Sequence, residues 1–246
     1  MLSAVIITHN EEQNIGRCLE SIKPIADEIL VVDSGSTDNT QHICDSYGVR
    51  FIHHDWEGFA GQKNFADNLA LGDWILSIDA DEELSDELKT SLLSMKQKGF
   101  DNTTIYSFKR LNNYCGQWIK HGGWYPDSKQ RLFPRASAHW EGTVHETLIA
   151  TNHMKQETLH GKLLHYTYNS FAELLDRQQH YATLAAEKIR DQGRSYSQLT
   201  VVLHPRWTFF RNYFLKLGFL DGRAGYTLAR MSAYYTFIKI TLCRKE

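Results

Sequence analysis

Along the first 85 residues, short apolar and β-branched runs alternate with stretches whose apolar residues recur every three or four positions. The runs at 4–8, 28–33, 49–53 and 73–79 predict strands. Ile15, Leu19 and Ile22 predict a helix that Pro24 ends, with Asn10 as its N-cap and Glu11 and Glu12 in its first turn. Further helices are predicted at about 37–46 and 63–70. Strand and helix alternating at this spacing imply an α/β fold, a mostly parallel sheet with crossover helices. A helix is predicted at 86–98 and an amphipathic one at 171–193. The stretch 104–150 is aromatic and strand-like without a clean period, and Pro205 punctuates the chain before its last segment.

In open α/β sheets a ligand lies beyond the carboxyl ends of the strands. Polar residues cluster there: Thr8-His9-Asn10, Asp33-Ser34 and Asp79-Ala80-Asp81. Alternation along a strand would send Asp79 and Asp81 to opposite faces, but a bend after Asp79 lets both address one centre. Paired carboxylates at a strand end suit Mg²⁺ or Mn²⁺ shared with substrate phosphates.

Charge changes the picture at one point. The formal net charge is −2, which argues against general nucleic-acid binding. Residues 1–199 carry −8, however, and residues 200–246 carry +6 along with 10 of the 30 aromatics. Trp207, Phe210, Phe214 and Leu217 recur at helical spacing among Arg206, Arg211 and Lys216, as in helices that lie on anionic membranes. The alternative is a helical hairpin that closes the core or forms a subunit interface. The longest stretch without Asp, Glu, Lys or Arg is eleven residues, too short to span a bilayer. Residues 1–10 lack a basic n-region and read as a buried strand rather than a leader. Cys18, Cys44, Cys115 and Cys243 are widely spaced, as reduced thiols would be. A cytoplasmic protein is expected, peripheral on the cytoplasmic face of the inner membrane through residues 204–246.

Three blocks carry a resemblance: Val5-Ile-Ile-Thr-His-Asn-Glu11, Glu28-Ile-Leu-Val-Val-Asp33-Ser-Gly-Ser-Thr-Asp38 and Asp73-Trp-Ile-Leu-Ser-Ile-Asp79-Ala-Asp81. In order and spacing they resemble the nucleotide-sugar half of glycosyltransferase family 2. Gly61-Gln-Lys-Asn64, Gln130-Arg-Leu-Phe133, Val144-His-Glu146 and Phe219-Leu-Asp-Gly222 extend the likeness toward lipopolysaccharide inner-core β-1,4-glucosyltransferases. Thr8-His9-Asn10 departs from the Pro-x-Tyr-Asn of many members. The resemblance implies a GT-A type nucleotide-diphospho-sugar transferase domain over 1–200, with a nucleotide-binding half to about 100 and an acceptor half beyond it. Residues 201–246 form a basic, aromatic helical extension.

It also implies roles. Asp33 would accept from a uracil imide, and Thr8, Asn10 and Glu11 would surround base and ribose. Lys63 would meet the diphosphate. Asp81 would bind a divalent cation, with Asp79 beside the ribose or the metal, Ala80 between them at the donor, and His165 as a further ligand. Inverting transfer needs a base on the acceptor hydroxyl, opposite the leaving group. Glu146 is the first choice for that base and Asp127 the reserve. Trp124, Arg131 and His145 are candidates for acceptor binding. The expected reaction moves a hexose, glucose foremost, from a UDP-sugar to a lipid-linked saccharide. Transfer to a polyprenyl phosphate and a non-catalytic nucleotide-sugar binder are the alternatives. A dinucleotide-binding enzyme is disfavoured, since no G-x-G-x-x-G is present.

Overall fold

The computed structural model describes residues 1–142, 146–151 and 153–244. Two compact units are formed, Met1–Arg110 with Asp127–His165, and Leu111–Pro126 with the chain from Tyr166 onward.

The first unit opens as the pattern predicts: β1 (Leu2–Thr8), α1 (Ile15–Ile22), β2 (Glu28–Asp33), α2 (Thr40–Tyr47), β3 (Arg50–His53), α3 (Gly58–Leu69) and β4 (Trp74–Asp79). β1 pairs in parallel with β2 and β4, and β2 with β3. A tight turn at Ala80–Asp81 leads into β5 (Glu82–Leu84) and α4 (Asp86–Lys98). The patternless stretch resolves into β6 (Thr104–Tyr114), β7 (Gln117–Ile119), β8 (Asp127–Pro134), β9 (Ala138–Glu141) and β10 (Thr147–Ala150), followed by β11 (Lys155–Tyr168). β8 runs antiparallel to β4 and β6, so the parallel strands continue into an antiparallel extension with the order β3-β2-β1-β4-β8-β6-β11-β5. β9 and β10 form a separate hairpin. Apolar residues of β1, β4 and α1 bury the core on one side of the sheet, and Val5, Leu30, Val32 and Ile75 meet α3 on the other. Gly161 crosses α4 so closely that a Cβ there would lie 2.3 Å from the Leu88 nitrogen.

Asn10 does not cap α1. The helix begins at Ile15, and Asn10 takes φ +55°, a conformation Asn tolerates. Its nitrogen donates to Ser36 Oγ (2.7 Å) and its Oδ1 accepts from Thr37 N (2.8 Å), which ties the loop after β1 to the loop after β2.

The second unit holds β7, α5 (Phe171–Asp191), α6 (Gln198–Phe210), a π-helical turn at Arg211–Leu215, a 3₁₀ turn at Gly218–Asp221 and α7 (Gly222–Thr241). α7 packs on α5 and α6. A Cβ at Gly225 would lie 1.8 Å from the Gly218 carbonyl oxygen, so only glycine permits this approach. Pro205 falls inside α6 rather than before it. Its missing N–H is tolerated because α6 buries no residue. The units do not divide at residue 200, because α5 and α7 share an apolar cluster that includes Leu174, Leu228 and Met231. Among the described residues no helix is long and apolar enough to cross a membrane.

Candidate active site

All the charged groups of the site lie in the first unit. β1, β2 and β4 deliver Thr8, Asp33 and Asp79 to one edge of the sheet, in the register Thr8↔Asp33 and Ile7↔Asp79. Asp33 is buried, and its carboxylate accepts from Gly35 N (2.9 Å), Ser36 N (2.8 Å) and Ser36 Oγ. Those bonds shape the following loop and leave about one of its four acceptor positions for a ligand. Thr8 Oγ1 is buried without a hydrogen-bond partner, a state that ordinarily marks a missing water or ligand. Glu11 is committed locally: its nitrogen donates to Thr40 Oγ1 and its carboxylate accepts from Asn14 Nδ2, both at 2.8 Å.

A ladder of alternating charges begins at the end of β4. Lys63, on α3, is 2% exposed and lies 2.9 Å from Glu146 and 3.0 Å from Asp79. The other Asp79 oxygen accepts from Arg131 on β8, which also donates to Glu82 at 2.6 Å. Glu82 meets Arg110 (3.4 Å), and Arg110 reaches Asp127 at 2.7 Å. Burial opposes ionisation of Asp79, yet Arg131 and Lys63 together hold its carboxyl well below the usual range. Burial likewise disfavours charge on Arg131, and Asp79 and Glu82 more than offset it.

Several expected roles change. Lys63 is enclosed between two carboxylates and the Trp140 ring (4.7 Å), so it does not face a diphosphate as an open cation. Each Asp79 oxygen already faces a cation, and a metal there would meet two like charges, so Asp79 is not placed as a ligand. Arg131, 3% exposed, is a strut between β4 and β5 rather than an acceptor contact. Asp127 is paired with Arg110 and Lys129. Glu146 immediately precedes β10. His145 lies outside the described residues. Trp124 belongs to the second unit, where its ring packs edge-on against Tyr168 and its carbonyl accepts from Asn112.

Asp81 and His165 do come together. Register pairs His165 with Glu82 across β11 and β5, and this brings His165 Nε2 to 3.1 Å from Asp81 Oδ2. A half-buried carboxylate and imidazole at that separation suit a divalent cation, the mixed donors favouring Mn²⁺ over Mg²⁺. Among the described residues no group of three or more His, Cys, Asp or Glu is placed to hold a metal ion, so Asp81 and His165 would hold one only together with non-protein oxygens such as those of a phosphate. Ala80, 4% exposed, forms the turn between Asp79 and Asp81.

Glu82 and Arg110 are members of the ladder that the sequence reading passed over. For Glu82 the signal is a charge two positions from the apolar Leu84 of the same strand, whereas Arg110 lies on β6, in the stretch without a clean period, and has no local signal.

Behind Lys63, Asp67 accepts from Trp140 Nε1 at 3.0 Å, while its other oxygen is buried without a partner. Burial raises the Asp67 pKa to about 7, against the lowering influence of the Trp140 N–H and Lys63. A folded pKa above the unfolded one gives stability that is present below about pH 4 and lost as pH rises toward 7. Asp67→Asn is therefore expected to unfold at higher denaturant than the parent at pH 8, by up to about 4 kcal/mol, and to match it more closely near pH 4. Urea unfolding across that range checks it, and parallel stability curves for the two proteins would refute it.

Comparison with known proteins places this geometry. The family model "Glycosyl transferase family 2" matches residues 3–160. The lipopolysaccharide core biosynthesis glycosyltransferase LpsC of Rhizobium meliloti is 31% identical over 96% of this chain and 89% of its own. An uncharacterized glycosyltransferase of Rickettsia typhi is 32% identical over 99% and 87%. Among solved structures, S. aureus TarS 1-349 in complex with UDP is similar at TM-score 0.48 and 16% identity, over 97% of this chain and 90% of that one. Matching order and spacing of the strand-end residues, a family model over more than half the chain and full-length relatives agree: the chain belongs to glycosyltransferase family 2.

Proposed function

We propose that this glycosyltransferase is an inverting, divalent-cation-dependent enzyme that moves a hexose, glucose foremost, from a UDP-sugar to a lipid-linked saccharide of the lipopolysaccharide-core type. The observation that carries the reading is the pairing of Asp81 with His165, two positions along the chain from Asp79 of the buried Asp79–Lys63–Glu146 ladder. Asp81 and His165 would hold the cation. When bound, it supplies positive charge against the charge that builds on the leaving diphosphate. Asp33, Thr8 and Asn10 bind and orient the nucleoside, and the unpartnered Thr8 hydroxyl supports a ligand there. Glu146 takes the proton of the acceptor hydroxyl, and Lys63 fixes its carboxylate. Asp79, held by Arg131 and Lys63, anchors the turn that presents Asp81. The name of the rhizobial relative supports a lipopolysaccharide-core acceptor. The basic, aromatic extension supports work at the cytoplasmic face of the inner membrane.

A panel of UDP-sugars tests the donor assignment. UDP release is expected to be fastest with UDP-glucose, to require Mn²⁺ or Mg²⁺, and to stop with chelator. Release that chelator leaves unchanged would overturn the cation's role, and no release from any UDP-sugar would overturn the donor class.

A further inference from the structure

The second unit carries a surface that the transfer chemistry does not use. α6 buries no residue, although it is rich in large apolar side chains. Leu199 is 66% exposed and Trp207 53%, and the ridge continues through Phe210 and Phe214. The rings are contiguous, Trp207 stacked on Phe210 at 5.9 Å and Phe210 against Phe214 at 5.3 Å. Beside this ridge, α6 and α7 enclose a cleft of about 420 Å³ whose lining includes His204, Arg211 and Lys239, with the hydroxyls of Thr208 and Thr236. Lys239 lies over the Tyr235 ring at 5.0 Å and Arg211 donates to Asn212, and among the described residues neither forms an ion pair. Between residues 192 and 245 the one acidic side chain is Asp221. It is 6% exposed and is occupied by the backbone N–H groups of Lys120 and His121 and by the His121 ring.

We propose that the α6–α7 cleft binds the phosphate of an anionic phospholipid headgroup while the Trp207–Phe210–Phe214 ridge enters the acyl boundary of the bilayer. Charge complementarity selects this occupant. Apart from the buried Asp221, the charged residues between 192 and 245 are all Arg or Lys, so a two-fold interface between copies through this face would set cation against cation. An anionic leaflet supplies the opposite sign, and aromatic rings flanked by Arg and Lys belong at its interface. The proposal deepens the peripheral-membrane reading and rests on it. It moves the anchor from residues 204–246 as a whole to α6, the π turn and the cleft, because α7 turns Leu228, Ala229 and Met231 inward.

Flotation of the full chain with vesicles of phosphatidylethanolamine plus phosphatidylglycerol, against phosphatidylcholine alone, tests it. The parent is expected to float with the anionic vesicles only. Arg211→Ala/Lys239→Ala should weaken partitioning about 25-fold, from about 5-fold per cation, and Arg211→Lys/Lys239→Arg should retain it. Phe210→Ser/Phe214→Ser should abolish flotation, with circular dichroism unchanged in every variant. If the double alanine variant floats like the parent, the cleft is overturned while membrane association stands. If the parent does not float, the peripheral-membrane reading falls as well, and UDP release still reports on the donor site separately. A dimer that Phe210→Ser/Phe214→Ser dissolves would overturn the lipid occupant in favour of a second copy.

Discussion

Asp81→Ala is expected to lower the kcat of sugar transfer about 10³-fold with the fold intact. Asp81 lies in the turn between β4 and β5 and contributes no apolar surface to the core, so its removal leaves no cavity. Its side chain is 15% exposed and lies 3.1 Å from His165. What the variant loses is the negative charge that would keep a cation beside the diphosphate. The charge on the leaving group would then go uncompensated, and several kcal/mol of transition-state stabilisation would go with it. Asp81→Asn separates charge from shape. It keeps size and hydrogen bonding, so it should fall nearly as far as alanine. His165→Ala removes an imidazole donor and should act mainly by raising the Mn²⁺ concentration needed for half-maximal rate. Steady-state kinetics with metal titration reads all three. An Asp81→Ala enzyme with undiminished kcat would remove the cation from the proposed chemistry.

The parallel half of the fold was legible because its signals are local. A β-branched run bounded by turn residues specifies a buried strand whatever surrounds it, and β2 matches its expected bounds of 28–33. The antiparallel half was not legible as separate strands. β6 pairs with β8 and β7 on different stretches and faces different neighbours along its length, so no single period survives. At the site, Asp33, Asp79, Asp81, Lys63 and Glu146 are named by the family resemblance, and the structure brings Lys63, Asp79 and Glu146 into contact. Their partners could not be read from the sequence. Lys63 and Glu146 are 83 positions apart, and Arg131 and Asp79 are 52 apart. Only the antiparallel docking of β8 on β4 tells that Arg131 is enclosed rather than presented to a ligand. The pairing of Asp81 with His165 likewise depends on the register of β11 against β5, which no local pattern encodes. Pro205 misled for the converse reason. Its local signal is a helix break, but an exposed helix with no core to disturb accommodates it.

Glu146→Gln is expected to lower kcat about 10³-fold while leaving the KM for the donor within about twofold, the size of effect a positioned general base carries. The substitution keeps the shape of the side chain and leaves Lys63 its pairing with Asp79 at 3.0 Å, so the fold should survive. Lys63→Met would be a poorer test. It leaves two carboxylates without their shared buried cation, a change that costs about 3–5 kcal/mol and confounds chemistry with stability. Asp127→Asn is the control. Its carboxylate is neutralised by Arg110, whose other carboxylate partner Glu82 remains, so a loss of less than about tenfold is expected. A larger loss at Asp127 than at Glu146 would exchange the two assignments. The same variant decides between acceptor classes. A saccharide hydroxyl must lose its proton as the new bond forms, whereas a polyprenyl phosphate is already ionised and needs no base. Full activity in Glu146→Gln would therefore favour the phosphate acceptor. A deep loss on a saccharide acceptor, with slow UDP release into water persisting, would establish Glu146 as the group that takes the proton.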